Sequence, residues 1–145
     1  MQDGVDLASI GLFGISMGAT LAYWMATAGF CVTALTHLCF FVNFDSWIET
    51  GIHDLHGIYL TISGLLNIIS NGKIAGSACP RPQFVEIENQ DRLTPPHTTY
   101  PALVKLRSRD CHTMQTLQLF QDPKICQMET FNMRQAALKL LKSVL

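Results

Sequence analysis

A serine flanked by two glycines is the feature of this sequence with the clearest chemical meaning. Gly14, Ser16 and Gly18 form a Gly-x-Ser-x-Gly motif inside the apolar run 10–26. A serine on a sharp strand-to-helix turn needs small residues two positions away, because larger ones would collide with the backbone. The motif therefore predicts Ser16 as a nucleophile toward a carbonyl carbon, with the Met17 N–H as an oxyanion donor. The alternative is a helix N-cap serine beside small packing residues.

The residues around the motif predict a strand, a turn and a helix in that order. Residues 8–15 are continuously apolar, as in a strand buried on both faces. Residues 17–28 then carry apolar side chains at helical spacing, and Gly29 stands where a helix often ends. This order favours the strand-to-helix turn over the simple N-cap.

The rest of the chain completes an α/β pattern. Further strands are predicted at 31–41, 83–88 and 116–121, and helices at 101–108 and 131–145, with a largely helical excursion over 45–75. In the closing helix, Met133, Ala137, Leu140 and Leu141 fall on one side. We expect a single domain over residues 1–145, with about four mostly parallel strands flanked by helices.

Composition excludes several classes of function. The 145 residues have a net charge of −1 and 48% apolar content, which suits a packed core and provides no basic stripe for nucleic acid. The five cysteines form no C-x-x-C pair, so neither a disulfide framework nor a zinc site is predicted. A reducing, cytoplasmic setting fits these cysteines, and no cofactor is indicated.

A membrane span is the third alternative to weigh, because no charged residue occurs between Asp6 and Asp45. The stretch nevertheless carries many Gly, Ser and Thr residues, and no cluster of Lys or Arg flanks it. Buried strands and a helix in succession explain the run better. The first residues also lack the positive region of a signal peptide.

Four segments in order carry a resemblance to a known family. They are "SIGLFGISMG" (9–18), "LHGIYLTISGLL" (55–66), "CPRPQFVEIENQDRLTPP" (79–96) and "CQMETFNMR" (126–134). Together they resemble the carboxyl-terminal half of an α/β-hydrolase of the dienelactone hydrolase and dipeptidyl aminopeptidase-like group. The resemblance implies a partial α/β-hydrolase fold that ancestrally acted on small ester or amide substrates.

The resemblance also assigns roles to individual residues. Ser16 is similar to the family nucleophile, and Asp91 to the acid that orients the catalytic histidine. Asp91 also follows a predicted buried strand, at the edge of the sheet expected for Ser16. The alternative for Asp91 is a solvated turn residue. Where the family has its histidine this chain has Gln127, whose amide cannot accept the serine proton, and Glu88 and Phe131 replace a family glycine and proline.

The histidines of the chain are poor substitutes for that base. His97 is a weak candidate, because it follows Asp91 on the same loop. His37 is expected in the core, and His112 on the opposite edge of the sheet. His53 and His56 form an H-x-x-H pair, but no third ligand is evident, so no metal site is predicted.

Few residues precede the serine strand, whereas the resemblance implies four earlier strands and a second oxyanion donor. We therefore expect an impaired hydrolase, with a non-catalytic interaction module on the same scaffold as the alternative. Strand 8–15 would then be an exposed, uncharged sheet edge, and such edges recruit further strands. The sequence predicts a homo-oligomer formed through this edge.

Overall fold

The computed structural model describes residues 4–29, 31–51, 60, 62–108, 116–122 and 128–145. Four strands are present in these ranges: β1 (Ile10–Ile15), β2 (Val32–Leu38), β3 (Gln83–Glu88) and β4 (Leu117–Asp122). The helices are α1 (Met17–Ala28), α2 (Phe44–Glu49), α3 (Asn71–Ser77), α4 (Pro96–Arg107) and α5 (Phe131–Val144), and a short 3-10 helix spans Leu65–Asn67.

The four strands form one parallel sheet in the order β1-β2-β3-β4. Gly14 lies beside His37 in the first pair of strands, and Val85 pairs with both His37 and Leu119. Because all the strands are parallel, their carboxyl ends meet at one edge of the sheet. The predicted α/β class with a four-stranded parallel sheet is confirmed.

Helices cover both faces of this sheet. One face packs against α1, α3 and α4, in a core centred on Tyr23, Leu35, Val85 and Leu106. The other face packs against α5, where Phe84 contacts a cluster that includes Leu140. These two layers bury β2 and β3, as the apolar runs of these strands require. The prediction of a strand buried on both faces is wrong for β1, because Phe13 and Ile15 are exposed.

The closing helix α5 follows its sequence pattern closely. Met133, Ala137, Leu140 and Leu141 are all buried, as predicted. Thr130 caps the helix, since its hydroxyl accepts a hydrogen bond of 3.3 Å from the Met133 N–H. The helix therefore docks by a single apolar stripe.

The predicted start of α4 at residue 101 is wrong. The helix begins at Pro96, and Pro101 lies inside it. Proline is well tolerated in a first turn, where backbone N–H groups lack intrahelical acceptors, so Pro96 starts the helix instead of preceding it. The excursion over 45–75 is only partly helical in its described residues, with α2, the 3-10 helix and most of α3.

Two further expectations concern the cysteines and the membrane. Cys79 is disulfide-bonded, whereas Cys31 and Cys39 are free thiols, so the expectation of no disulfide is wrong. Spacing along a chain does not reveal which cysteines approach one another in space, and the argument from cysteines for a reducing compartment no longer holds. In the described residues, no helix combines the length and apolarity that crossing a membrane requires.

Candidate active site

Ser16 lies at the sharp turn between β1 and α1, where the sequence predicts it. Its backbone has φ 54° and ψ −120°, a conformation that residues with a side chain rarely adopt. Such strain persists only where the surrounding structure imposes it, and it concentrates at functional sites. The side chain is partly exposed. The turn therefore presents a serine hydroxyl at the carboxyl edge of the sheet.

The close approach of strand and helix at this turn depends on Gly14. A Cβ on Gly14 would collide with the carbonyl group of Gly18 and would lie 2.7 Å from the Ala19 nitrogen. Gly18 differs, because a Cβ there meets no described atom within 4 Å. The expectation that both glycines provide room is thus correct for Gly14 and wrong for Gly18. Gly14 faces the helix, whereas the Cβ position of Gly18 is open.

Backbone hydrogen bonds fix the turn to its neighbours. The Ser16 N–H donates to the Leu38 carbonyl at 2.8 Å, and the Ala19 N–H donates to the Ser16 carbonyl at 2.9 Å. Met17 is the first residue of α1, so its N–H lacks an intrahelical acceptor. That N–H and the positive end of the helix dipole suit a developing negative charge near Ser16.

Asp91 lies in the loop that follows β3, at the same edge of the sheet as Ser16. It is only 5% exposed, so it is not the solvated turn residue of the alternative interpretation. Its Oδ1 accepts the Leu93 N–H at 2.8 Å, and its Oδ2 accepts the Thr94 hydroxyl at 3.0 Å. Both oxygens are thus held in one orientation by the loop itself.

Trp47 of α2 anchors this acid loop from outside. Its indole Nε1–H donates to the Leu93 carbonyl at 2.8 Å. The ring also packs edge-on against Phe40, which follows β2, with ring centroids 5.5 Å apart. The excursion after β2 therefore positions the loop that carries Asp91.

Two solved structures with the same arrangement of strands and helices are esterases. The acetyl xylan esterase from Paenibacillus sp. R4 superposes with a TM-score of 0.75 at 16% identity, over 99% of this chain and 48% of that one. Methylesterase BT1017 superposes with a TM-score of 0.66 at 20% identity, over 99% of this chain and 31% of the methylesterase chain. The chain has part of the α/β-hydrolase fold.

The same comparisons also limit what the similarity shows. Sequence identities this low show a shared fold alone. The chain spans about half the length of the acetyl xylan esterase and 31% of the methylesterase. A Bacillus subtilis strain 168 protein named "Putative hydrolase YtaP" is 34% identical over 86 residues, which are 59% of this chain and 29% of that protein. No family model matches the chain.

Within the α/β-hydrolase fold, Ser16 and Asp91 follow strands that are separated by one strand, β2. Cys39 follows that middle strand, at a positive φ of 61°. Its N–H donates to Glu86 Oε2 at 2.9 Å. Burial raises the pKa of the Cys39 thiol well above its usual value, and the charges of Glu88, Glu86 and Asp91 raise it further. The thiol therefore stays protonated, and a protonated thiol is a poor nucleophile.

Sequence reasoning missed the cluster formed by Cys39, Glu86 and Glu88. All three residues are buried, and their thiol and carboxylate atoms lie within 4.8 Å of one another, close enough to ligate one cation. Two glutamates two residues apart on a buried strand share one face, and this pattern was the available signal. In the sequence, Glu88 stands out only as the replacement of a family glycine, and no metal site is predicted there.

The position expected for the base lies outside the described residues. This applies to Gln127, and equally to His53, His56 and His112. The next residue after Gln127 in the sequence, Met128, is described. Its N–H donates to Glu88 Oε1 at 3.2 Å, which connects the segment after β4 to the end of β3.

The two described histidines lie in contrasting surroundings. His97 is exposed in the first turn of α4. His37 is fully buried, with its ring stacked 5.2 Å from Tyr23, as a core histidine should be. Burial lowers the pKa of His37 to about 3. His37 is therefore a neutral core residue at ordinary pH.

Proposed function

We propose that this chain carries a serine hydrolase site for small ester or amide substrates, with Ser16 as the nucleophile. The observation that carries the proposal is the strained backbone of Ser16, held by the approach of Gly14 to α1 and by the bond to Leu38. The hydrolase-fold neighbours and the relative named as a hydrolase support the same class of chemistry.

In the proposed reaction, Ser16 Oγ attacks the substrate carbonyl carbon and the carbonyl oxygen becomes an oxyanion. The Met17 N–H, at the N-terminus of α1, stabilises that charge. Collapse of this intermediate breaks the bond to the leaving alcohol or amine, which departs with the proton that Ser16 has lost. Water then attacks the acyl group on Ser16, releases the carboxylic acid and restores the serine hydroxyl. Asp91 serves as the acid of the site, because it is buried, fixed in orientation and at the same sheet edge.

When Ser16 attacks, its hydroxyl proton needs an acceptor. We propose that the lack of a histidine as this acceptor makes the rate of acyl transfer low. Gln127 stands where the family histidine is expected, and an amide does not accept a proton at neutral pH. In a comparable triad, removal of the histidine lowers turnover by about a million-fold. We therefore expect weak acyl transfer from small activated esters.

Hydrolysis of p-nitrophenyl acetate tests the proposal, measured against the rate of the uncatalysed reaction. The wild-type chain should exceed that rate, and Ser16→Ala should remove the excess. Ser108→Ala is the matched control, because Ser108 is exposed and lies outside the strained turn. Equal rates for the wild type and Ser16→Ala would contradict the proposal.

The second candidate function is a non-catalytic interaction module on the same scaffold. The amide at Gln127 favours this alternative, since it removes the base from an otherwise hydrolase-like edge. The two functions differ in one measurable respect. An interaction module retains its fold and its partners in Ser16→Ala, whereas a hydrolase loses its acyl-transfer activity.

A further inference from the structure

Glu88 places a buried carboxylate at the edge of the sheet that carries Ser16. It is the last residue of β3 and is only 2% exposed. By the resemblance, Glu88 stands where the family has glycine, and Gln127 stands where the family has histidine. These two departures are complementary, because a carboxylate oxygen accepts a proton and an amide does not.

The Glu88 side chain extends over β2 toward the serine turn. One of its carboxylate oxygens lies within 4.8 Å of Cys39 Sγ. Cys39 directly follows Leu38, whose carbonyl accepts the Ser16 N–H at 2.8 Å. Because β2 lies between β1 and β3, a carboxylate beside Cys39 lies between the end of β3 and Ser16.

The remaining distance suits proton transfer. Neighbouring strands lie about 5 Å apart, so two such intervals separate Ser16 from the end of β3. A general base acts either within hydrogen-bond reach of the proton or through one water molecule. A glutamate side chain that already reaches Cys39 needs no more than that one water to serve Ser16.

The segment after β4 holds the Glu88 carboxylate from the other side. The Met128 N–H donates to Glu88 Oε1 at 3.2 Å. Met128 follows Gln127, the position of the family histidine, directly in the sequence. Glu88 therefore contacts both the residue beside the serine turn and the segment in which the family has its base.

The neighbouring carboxylates are less suited to this role. Glu86 lies two residues deeper on the same face of β3, and its Oε2 accepts the Cys39 N–H at 2.9 Å. Both oxygens of Asp91 accept hydrogen bonds from its own loop. Glu88 is therefore the carboxylate of this cluster that is best placed to accept the serine proton.

The charges around Glu88 favour the uptake of a proton. The negative charges of Glu88, Glu86 and Asp91 all act on the Cys39 thiol, and Asp122 pairs with Glu88 in the register of β3 and β4. Helix α5 contributes apolar residues to the cluster around Cys39, namely Ala137 and Leu140. Carboxylates that share a site repel one another, and a proton on one of them reduces this repulsion.

We infer that Glu88 is the general base of the site, an inference that rests on the proposed function. As Ser16 Oγ bonds to the carbonyl carbon, its proton passes to a Glu88 carboxylate oxygen and the carbonyl π electrons move onto the carbonyl oxygen. Glu88 gives this proton to the leaving alcohol or amine. It then accepts a proton from the attacking water and returns it to Ser16 Oγ. A carboxylate is a weaker base than imidazole, so both steps are slow.

Glu88→Gln tests the inference with p-nitrophenyl acetate. The amide oxygen still accepts the Met128 N–H, so a purely structural role of Glu88 survives, whereas the amide accepts no proton. The Ser16-dependent rate, which is the wild-type rate minus that of Ser16→Ala, should fall at least tenfold. Glu49→Gln is the matched control and should keep this rate, because it makes the same change at an exposed residue of α2.

Rescue and a pH profile separate chemistry from misfolding. Glu88→Ala should also lose the Ser16-dependent rate, and added formate should restore part of it by providing a small carboxylate. Formate should not restore the rate of Ser16→Ala. The wild-type rate should decline at acidic pH through an ionisation that the residual rate of Glu88→Gln lacks.

Two kinds of failure can be distinguished in this experiment. A Ser16-dependent rate that survives Glu88→Gln, or a Glu88→Ala variant that formate does not restore, would overturn Glu88 as the base and leave the proposed function intact. Equal rates for the wild type and Ser16→Ala would overturn both.

Discussion

Ser16 and Leu38 are joined by a backbone hydrogen bond of 2.8 Å, which ties the strained serine turn to the end of the neighbouring strand. The bond uses the serine N–H, so the next donor along the chain, the Met17 N–H, is left for an oxyanion. Gly14 permits the same turn on its other side, because a Cβ there would overlap the backbone of Gly18. The geometry of the serine therefore depends on its neighbours, and this dependence can be tested.

Gly14→Ala should destabilise the fold by about 1–3 kcal/mol, because the added methyl group overlaps the α1 backbone. Urea denaturation measures the change. Gly18→Ala is the matched control and should stabilise the chain by about 0.5–1 kcal/mol, since alanine favours helices and the space is open. Equal effects of the two substitutions would contradict the close approach at Gly14.

His37 should make stability depend on pH. Its folded-state pKa of about 3 lies below the ordinary value of 6.5, so the unfolded chain binds the proton more readily. The His37 contribution is complete above pH 6.5 and is lost as pH falls toward 3, at about 1.4 kcal/mol per pH unit.

The measurement is urea denaturation between pH 7 and pH 4 for the wild type and His37→Leu, because other groups titrate in the same range. The variant should show the shallower loss of stability. His97→Gln should behave like the wild type, since His97 is exposed. Parallel profiles for wild type and His37→Leu would refute a buried neutral histidine.

Trp47→Phe should loosen the loop that carries Asp91. The substitution keeps an aromatic ring beside Phe40 but removes the donor to the Leu93 carbonyl, a net loss of about 1 kcal/mol. Hydrogen exchange at the Leu93 and Thr94 amides should accelerate.

Trp24→Phe is the control for Trp47→Phe, because it makes the same change from an indole to a phenyl ring. The Trp24 indole nitrogen is buried without an acceptor among the described residues, so Trp24→Phe loses ring packing against the core but no hydrogen bond. Its loss of stability should therefore be smaller than that of Trp47→Phe. If both variants lose the same stability, the bond from Trp47 does not anchor the loop.

Gln127→His should increase turnover of p-nitrophenyl acetate, at least tenfold, by providing an acceptor for the Ser16 proton. Gln121→His is the control, because Gln121 is an exposed residue of β4. The gain should follow the neutral form of the new histidine and decline at acidic pH. An unchanged rate would argue against Gln127 as the position of the base.

Local patterns in the sequence were sufficient for much of the fold. The β3 range and the buried stripe of α5 were predicted residue by residue, since period-2 and period-3.6 patterns are local properties. The turn at Ser16 followed from the order of strand, glycines and helix. The predicted start of α4 was wrong because of Pro101, since a proline inside a helix and a proline at its start look alike in sequence.

Features that depend on residues distant in sequence were not predicted. Cys39 and Glu86 are 47 positions apart, yet the Cys39 N–H bonds to the Glu86 carboxylate. The anchoring of the acid loop by Trp47 likewise joins positions 46 apart. The different surroundings of Gly14 and Gly18 depend on which side of each backbone faces a neighbour. These relationships arise from packing, which sequence spacing does not encode.

The most direct test of the central claim is the site of covalent modification by a fluorophosphonate probe. The probe in excess should phosphonylate the wild-type chain slowly, and peptide mass spectrometry should locate the adduct on Ser16. Gln127→His should accelerate the labelling, while Ser108→Ala should leave it unchanged. An unmodified Ser16 after prolonged incubation, or equal labelling of Ser16→Ala, would contradict a nucleophilic serine at this turn.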